Sequence, residues 1–256
     1  MAVVGDYREL IPMILKVRPG FMNLVPRLAD VLLMWLSDEK NAEKSELSLR
    51  EIGMGGTDIS ENYREEFRKY GIGLKAAYGL TETSGAVMID GVPIGGIEVK
   101  LAGGEQGELL FRGPEIFAGY LNDGKATSQV FEGGWFHTGD IGRREPDGTY
   151  AIVGRLKNLI ILPNGENVSP EELENRLEES PLIRESMVYG DGEELAAVVV
   201  MASGADDAVE AAALVRKEVD RICQVLPAYM RISKVSTQKE PLLRNGLGKL
   251  IRAAKP

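Results

Sequence analysis

From Val25 the stretch "VPRLADVLLMWLSDEK" sets Leu28, Val31, Leu32 and Trp35 at spacings of three and four, which predicts a helix with one apolar face. The first forty residues around it also predict helix, broken at Pro12, Pro19 and Pro26. "NAEKSE" has no apolar period and predicts a solvated loop, and "SLREIGMGG" predicts a short strand running into glycines. "TDISENYREEFRKY" then places Tyr63, Phe67 and Tyr70 on one side of a second amphipathic helix. "GIGLKAA" follows as a short buried strand. Strand, helix and strand in alternation predict an α/β sheet.

Between about residues 92 and 153 the period changes to two. "GIEVKLAGGEQGELLFRG" predicts two strands around a Gly-rich turn, and "TGDIGRREPDGTYAIVGR" predicts a second pair turned at "PDG". These make an antiparallel, barrel-like piece. After Gly154 a small α+β unit is expected. Ser169 is placed as an N-cap, Pro170 at the first helical position and Glu172 as the closing residue of a capping box. "ESMVYGDGEELAAVVVM" predicts a hairpin with a buried second strand, and "DDAVEAAALVRKEVDRICQVL" a long amphipathic helix ending before Pro227. The expected fold class is α/β, in two parts. Residues 1–154 hold an α/β sheet with the barrel-like piece, and residues 155–256 a small α+β domain.

Composition narrows the partners. Over 256 residues, 44% are hydrophobic and 27% charged, as in a soluble globular protein. The net charge of −9 argues against a nucleic-acid partner, whose phosphates would be repelled over most of the surface, and leaves room for a local nucleotide site. The one cysteine, Cys223, sits at an apolar helical position and reads as a buried, inert thiol. With no internal disulfide possible and no signal peptide legible in "MAVVGDYREL", a reducing, cytoplasmic setting is expected. "VLLMWL" is too short to span a bilayer.

The chemistry concentrates in "YGLTETSG", residues 78–85. Gly79 weakens helix and strand alike, and Thr81, Thr83 and Ser84 compete with the backbone for hydrogen bonds. The stretch reads as a strand end opening into a loop that presents polar groups, or as a Thr-rich capped turn. It does not stand alone. "REIGMGG", "YGLTETSG", "GELLFRGPEIFAGY", "GWFHTGDIGR", "GRLKNLIILPNGENVSPEELE", "LPAYMRISKV" and "PLLRNGLGKLIR" follow one another in that order. The series resembles the acyl-adenylate-forming superfamily of acyl-CoA synthetases, nonribosomal peptide adenylation domains and beetle luciferases, from about residue 50 to the C-terminus.

The resemblance implies a role for each motif. Tyr78 would stack on adenine, and Gly79 would let backbone come close. Thr81 would hydrogen-bond the α-phosphate, and Glu82 would hold Mg²⁺, a hard cation suited to carboxylate oxygen. Gly55 and Gly56 would line the adenine and acyl pocket, and also suit a plain strand-end turn. Asp140 would take both ribose hydroxyls, with Arg155 adding a ribose or phosphate contact. Lys249, by itself also readable as a surface lysine, would stabilise the charge that builds when a carboxylate attacks the α-phosphate of ATP. Gly246 and Gly248 would let its loop thread into the site. Lys157 falls at the hinge position of the family. Rotation there would withdraw Lys249 and bring the "LPNGENV" loop, with Gly165, into the thiol channel. His137, the only histidine, tempts a general-base reading, but the family varies at that position and it reads as filler.

One part of the pattern is missing. No Ser/Thr/Gly-rich phosphate loop closed by Lys occurs in the 256 residues. The expectation is therefore a truncated, engineered or split synthetase, keeping the adenine, ribose, Mg²⁺ and lysine parts. Its unfinished sheet would favour association with a missing N-terminal half or with itself. The leading function is AMP-forming ligation of a carboxylic acid, a fatty acid by the style of "NLIILPNGENVSPEELE", to coenzyme A. Alternatives are acyl-AMP transfer to a carrier protein and a non-catalytic nucleotide-binding subunit.

Overall fold

The computed structural model describes residues 7–41, 47–55, 59, 61–202, 208–245 and 250–252. The chain divides into two compact units. The first takes Met1–Glu105, Leu109–Thr138 and Arg144–Ala151, and the second Gln106–Glu108, Gly139–Arg143 and Ile152–Pro256.

In the first unit, α1 (Leu10–Val17) carries Pro12 in its first turn, where a missing N–H costs nothing, so this proline does not break the helix. Arg18, left-handed at φ 51°, caps α1 and donates its N–H to Ile14. The chain then forms β1 (Phe21–Leu24), which corrects the expectation of helix throughout the first forty residues. Proline and glycine at 19–20 and Pro26 fence "FMNLV" into too few residues for a helical face, and four of them pair in parallel with β2 (Glu51–Gly55). α2 (Pro26–Ser37) opens on its proline and buries Ala29, Leu32 and Leu36. Leu28, Val31 and Trp35 pack only partly, so the apolar face is rotated from the predicted stripe.

α3 (Glu61–Arg68) buries Phe67, with the Tyr63 ring set edge-on against it at 5.5 Å. β3 (Gly73–Leu80), β4 (Gly85–Ile89) and β5 (Val92–Pro93) complete a sheet of order β1-β2-β3-β4-β5, parallel through β3 and antiparallel beyond it. Asp90 anchors this sheet: its carboxylate accepts the Ala76 N–H at 2.8 Å and Arg64 at 3.1 Å, and pairs with Lys75 at 3.1 Å. β6 (Glu98–Ala102), β7 (Gln106–Arg112), β9 (Trp135–Arg144) and β10 (Tyr150–Arg155) form a second sheet of order β10-β9-β7-β6. α4 (Gly124–Val130) precedes β8 (Phe131–Glu132), which pairs with β9. The "PDG" turn forms as the residues dictate: Asp147 accepts the Thr149 N–H at 3.0 Å and Gly148 takes φ 89°.

The second unit is built on β13 (Ile183–Asp191), β14 (Glu194–Met201) and β15 (Ile232–Gln238). β14 lies in the middle, antiparallel to β13 and parallel to β15. Its alternate residues serve two cores. Leu195, Ala197 and Val199 join Leu173 and Leu177 of α5 (Pro170–Glu178) and Val215 and Val219 of α6 (Ala208–Gln224). Val198 and Val200 join Met187 and Leu242 on the other face. That is why "LAAVVV" is apolar at every position rather than at every second one. Cys223 is a free, buried thiol in the first of these cores.

The cap on α5 is half of the expected box. The Ser169 hydroxyl oxygen accepts the Glu172 N–H at 3.4 Å. The Glu172 carboxylate turns outward instead, to Arg143 at 3.3 Å and Arg176 at 3.4 Å, because two guanidinium groups outbid one backbone N–H.

Candidate active site

Two groups of site residues exist, one in each unit. In the first, Gly55 ends β2 beside Ala77 of β3, and a Cβ at Gly55 would come within 3.2 Å of the Ala77 carbonyl. β3 continues through the half-buried Tyr78, whose ring lies 6.0 Å from that of Phe111. Gly55 and Tyr78 thus sit at the carboxyl ends of adjacent parallel strands, the place where open α/β sheets bind ligands.

Gly79 is glycine for a reason within the fold. An added Cβ would stand 1.9 Å from the Gly85 carbonyl oxygen, where β3 and β4 shift register between Tyr78 and Gly79. The backbone that comes close here is β4. Thr83 is fully buried and locks the next turn: its hydroxyl oxygen accepts the Leu80 N–H at 2.8 Å and lies 2.7 Å from the Gly85 carbonyl. With Thr83 turned inward, a 3₁₀ turn over Thr81–Thr83 leaves Thr81 exposed and Glu82 half-exposed. Ser84 completes the reversal at φ 55°.

Glu82 is held on two sides. Its carbonyl accepts the Phe117 N–H at 2.8 Å, and its carboxylate accepts the Tyr120 hydroxyl at 2.8 Å. That bond to a carboxylate, with some desolvation, raises the Tyr120 phenol above its ordinary value. Tyr120 was legible in "FAGY" only as part of a motif. Nothing in its spacing linked it to a residue 38 positions earlier. Mg²⁺ fits this position: it needs one or two protein carboxylates beside substrate phosphates, and one Glu82 oxygen is left over from Tyr120. Among the described residues no cluster of three or more metal-binding side chains occurs.

In the second unit Asp140 is 4% exposed on β9, and its carboxylate accepts Nε of Arg155 on β10. The two expected ribose residues therefore touch, and the guanidinium orients the carboxylate. Gly139, at φ 70°, donates its N–H to Glu108 at 2.9 Å. Lys157 lies exposed in the 3₁₀ turn Leu156–Asn158. The preceding Gly154 has no space for a side chain, because the Ser169 hydroxyl lies 2.1 Å from the place of its Cβ. Gly165, at φ 84°, turns the hairpin of β11 (Ile160–Ile161) and β12 (Asn167–Val168). A cleft of about 540 Å³ opens beside that hairpin, lined among others by Asn164, Glu193, Glu194, Tyr229 and Arg231. Gly56, Gly246, Gly248 and Lys249 lie outside the described residues. Arg244 and Leu250 pair antiparallel on either side of that last stretch, and Ile251 donates its N–H to the Leu243 carbonyl at 2.9 Å.

This mixed α/β layout, with Gly55 and Tyr78–Glu82 at strand ends and the buried Asp140 paired with the part-exposed Arg155, is that of the adenylate-forming enzymes. The chain belongs to the AMP-binding enzyme family: the AMP-binding enzyme family model matches residues 4–121, and the AMP-binding enzyme C-terminal domain model matches residues 157–255. A long-chain-fatty-acid–CoA ligase of Mycobacterium bovis is 38% identical over 147 residues, covering 54% of this chain and 24% of the relative. A 2-succinylbenzoate–CoA ligase of Listeria monocytogenes is 32% identical over 218 residues, covering 80% of this chain and 45% of the relative. Among solved structures, the O-succinylbenzoate coenzyme A synthetase of Bacillus subtilis in complex with AMP superimposes with a TM-score of 0.76 at 26% identity, covering 96% of this chain and 53% of that one. The chain thus spans well under two thirds of the relatives it matches. Among the described residues no helix is long and apolar enough to cross a membrane.

Proposed function

We propose that this chain is the C-terminal portion of an AMP-forming acyl-CoA ligase, which joins a carboxylic acid to ATP as acyl-AMP and then passes the acyl group to coenzyme A. The observation that carries the reading is the placement of Gly55 and of Tyr78 to Glu82 at the carboxyl ends of β2 and β3. Tyr78 offers a flat face to adenine, Thr81 an exposed hydroxyl to the α-phosphate, and Glu82 a carboxylate to Mg²⁺. Asp140, desolvated and aligned by Arg155, suits the two ribose hydroxyls. Lys249 supplies positive charge to the phosphorus oxygens as pyrophosphate departs, and Lys157 serves as the hinge between the two half-reactions. The Gly165 hairpin would form part of the path by which the coenzyme A thiol reaches the acyl group. Relatives acting on long-chain fatty acids and on 2-succinylbenzoate leave the acid's class open between alkyl and aryl, and we take the fatty acid.

Two experiments test this. The isolated chain binds AMP in calorimetry while fatty-acid-dependent pyrophosphate exchange stays at background, because no Ser/Thr/Gly–Lys phosphate loop occurs in it. Vigorous exchange by the chain alone would overturn the view that another segment is needed. In the full-length enzyme carrying this sequence, Lys249→Ala lowers acyl-AMP formation by about 10² and spares thioester formation from supplied acyl-AMP. Equal loss in both steps contradicts the assignment, and thioester formed on an acyl carrier protein but not on coenzyme A would change the acceptor.

A further inference from the structure

Arg252 lies three residues beyond Lys249. Its guanidinium forks onto the buried Glu174 of α5, with Nη1 to Oε1 at 2.7 Å and Nη2 to Oε2 at 2.5 Å. Glu174 Oε1 also accepts the Val188 N–H of β13 at 2.7 Å. The same Nη2 lies 3.3 Å from Glu171 Oε1. That oxygen in turn accepts Asn158 Nδ2, next in sequence to Lys157, at 2.5 Å. One connected set of polar groups therefore runs from the turn at 156–158, through the first turns of α5, to Arg252 in the segment 250–252.

The same segment is seated by apolar contact as well. Leu250 packs with Met187, Val198, Val200 and Leu242, and Leu242 donates its N–H to Glu185 at 3.2 Å. Apolar contact holds the segment down but fixes no orientation along it. The bidentate fork does, because a planar guanidinium meeting both oxygens of a carboxylate admits one geometry. A buried ion pair adds little net stability over an apolar pair, so its contribution here lies in position.

We infer that Arg252, through Glu174, Glu171 and Asn158, is a positioning residue that fixes residues 250–252, the segment next in sequence to Lys249, to the hinge-side helix, so that this segment and the turn at Lys157 move as one body. The inference rests on the adenylating role proposed for Lys249. It deepens that role by naming what aims the lysine.

The test compares the 256-residue chain with Arg252→Lys and with the doubly substituted Glu174→Gln/Arg252→Gln chain. The double change removes both charges together, so no carboxylate is left buried without a partner and the fold is kept. Amide exchange is followed at Ile251 and across β14, and tryptic cleavage after Lys249 is timed by mass spectrometry. In the double variant Ile251 exchange and Lys249 cleavage rise about tenfold or more, while β14 amides change by less than about threefold. Arg252→Lys falls between, because an ammonium restores charge without the fork. Exchange at Ile251 that stays at the parent rate, or that rises only in proportion to β14, overturns the inference.

A separate arm adds 5′-O-(N-dodecanoylsulfamoyl)adenosine, an acyl-adenylate mimic, to the parent chain. Protection of Lys249 from trypsin supports its adenylating role. Absence of protection beside an intact exchange result refutes that role, and with it the aiming function, while the clamp itself stands. The two failures are thus told apart.

Discussion

Asp90 in the first unit and Glu174 in the second do the same mechanical work by different physics. Each is a carboxylate that accepts one backbone N–H and an arginine, and each ties a helix to strands. Burial pushes Asp90 up, but the Ala76 N–H, Lys75 and Arg64 together bring it below its ordinary 3.8. At Glu174 burial is deeper and dominates: the carboxyl stands above its ordinary 4.5, although Arg252 and the Val188 N–H pull it back. Glu178, accepting the N–H and hydroxyl of Ser186, is raised in the same way. The number of partners does not set the sign of the shift. The balance of desolvation against pairing does.

The largest test of that contrast removes the arginine from each site. Arg252→Ala leaves Glu174 buried and unpaired and costs about 3 kcal/mol, below the usual ceiling for such a loss because Arg252 is 23% exposed. Arg64→Ala leaves Asp90 with Lys75 and a backbone N–H, and costs about 1 kcal/mol. Trp35 and Trp135 both belong to the first unit, so fluorescence follows that unit during denaturation, and amide exchange on β14 follows the second. Equal costs would end the distinction.

Between these two values falls Gly79→Ala. The clash with the Gly85 carbonyl costs the first unit about 2 kcal/mol and leaves β14 exchange unchanged. A neutral result would mean that Gly79 serves a ligand rather than the register of β3 on β4.

The smallest effect is the pH dependence, and here the units part in sign. Asp90 binds protons less readily folded than unfolded. Its contribution is complete above 3.8 and is lost as pH falls through its lower folded value. Glu174 and Glu178 bind protons more readily folded. Acidification from neutrality through their raised values toward 4.5 therefore adds stability to the second unit, which gains nothing further from them below 4.5. Thermal melts followed by tryptophan fluorescence and by β14 exchange from pH 7 to pH 3 check both signs. A second unit that weakens over the upper part of that range contradicts the buried-carboxylate account.

Patterns of period two and period 3.6 made much of the fold legible from sequence. α3, the hairpins at "AGGEQ" and "PDG", and the buried run of β14 all follow from local spacing and turn chemistry. The short β1 was not legible, because four residues carry no period of their own and become a strand only by pairing with β2. Likewise Ser169 declared a helix start, but whether Glu172 would close the box depended on Arg143, 29 residues away.

The candidate site divides along the same line. Residue types and their order led to the AMP-binding enzyme family, through the motifs in which Tyr78, Thr81, Glu82, Asp140 and Lys249 stand. Tertiary structure alone decided what holds them. Tyr120 meets Glu82 across 38 residues, Arg155 meets Asp140 across 15, and Arg252 meets Glu174 across 78. The physical reason is range. Propensity and periodicity act over a few residues, whereas the desolvation and pairing that orient a carboxylate are settled only when distant segments pack together.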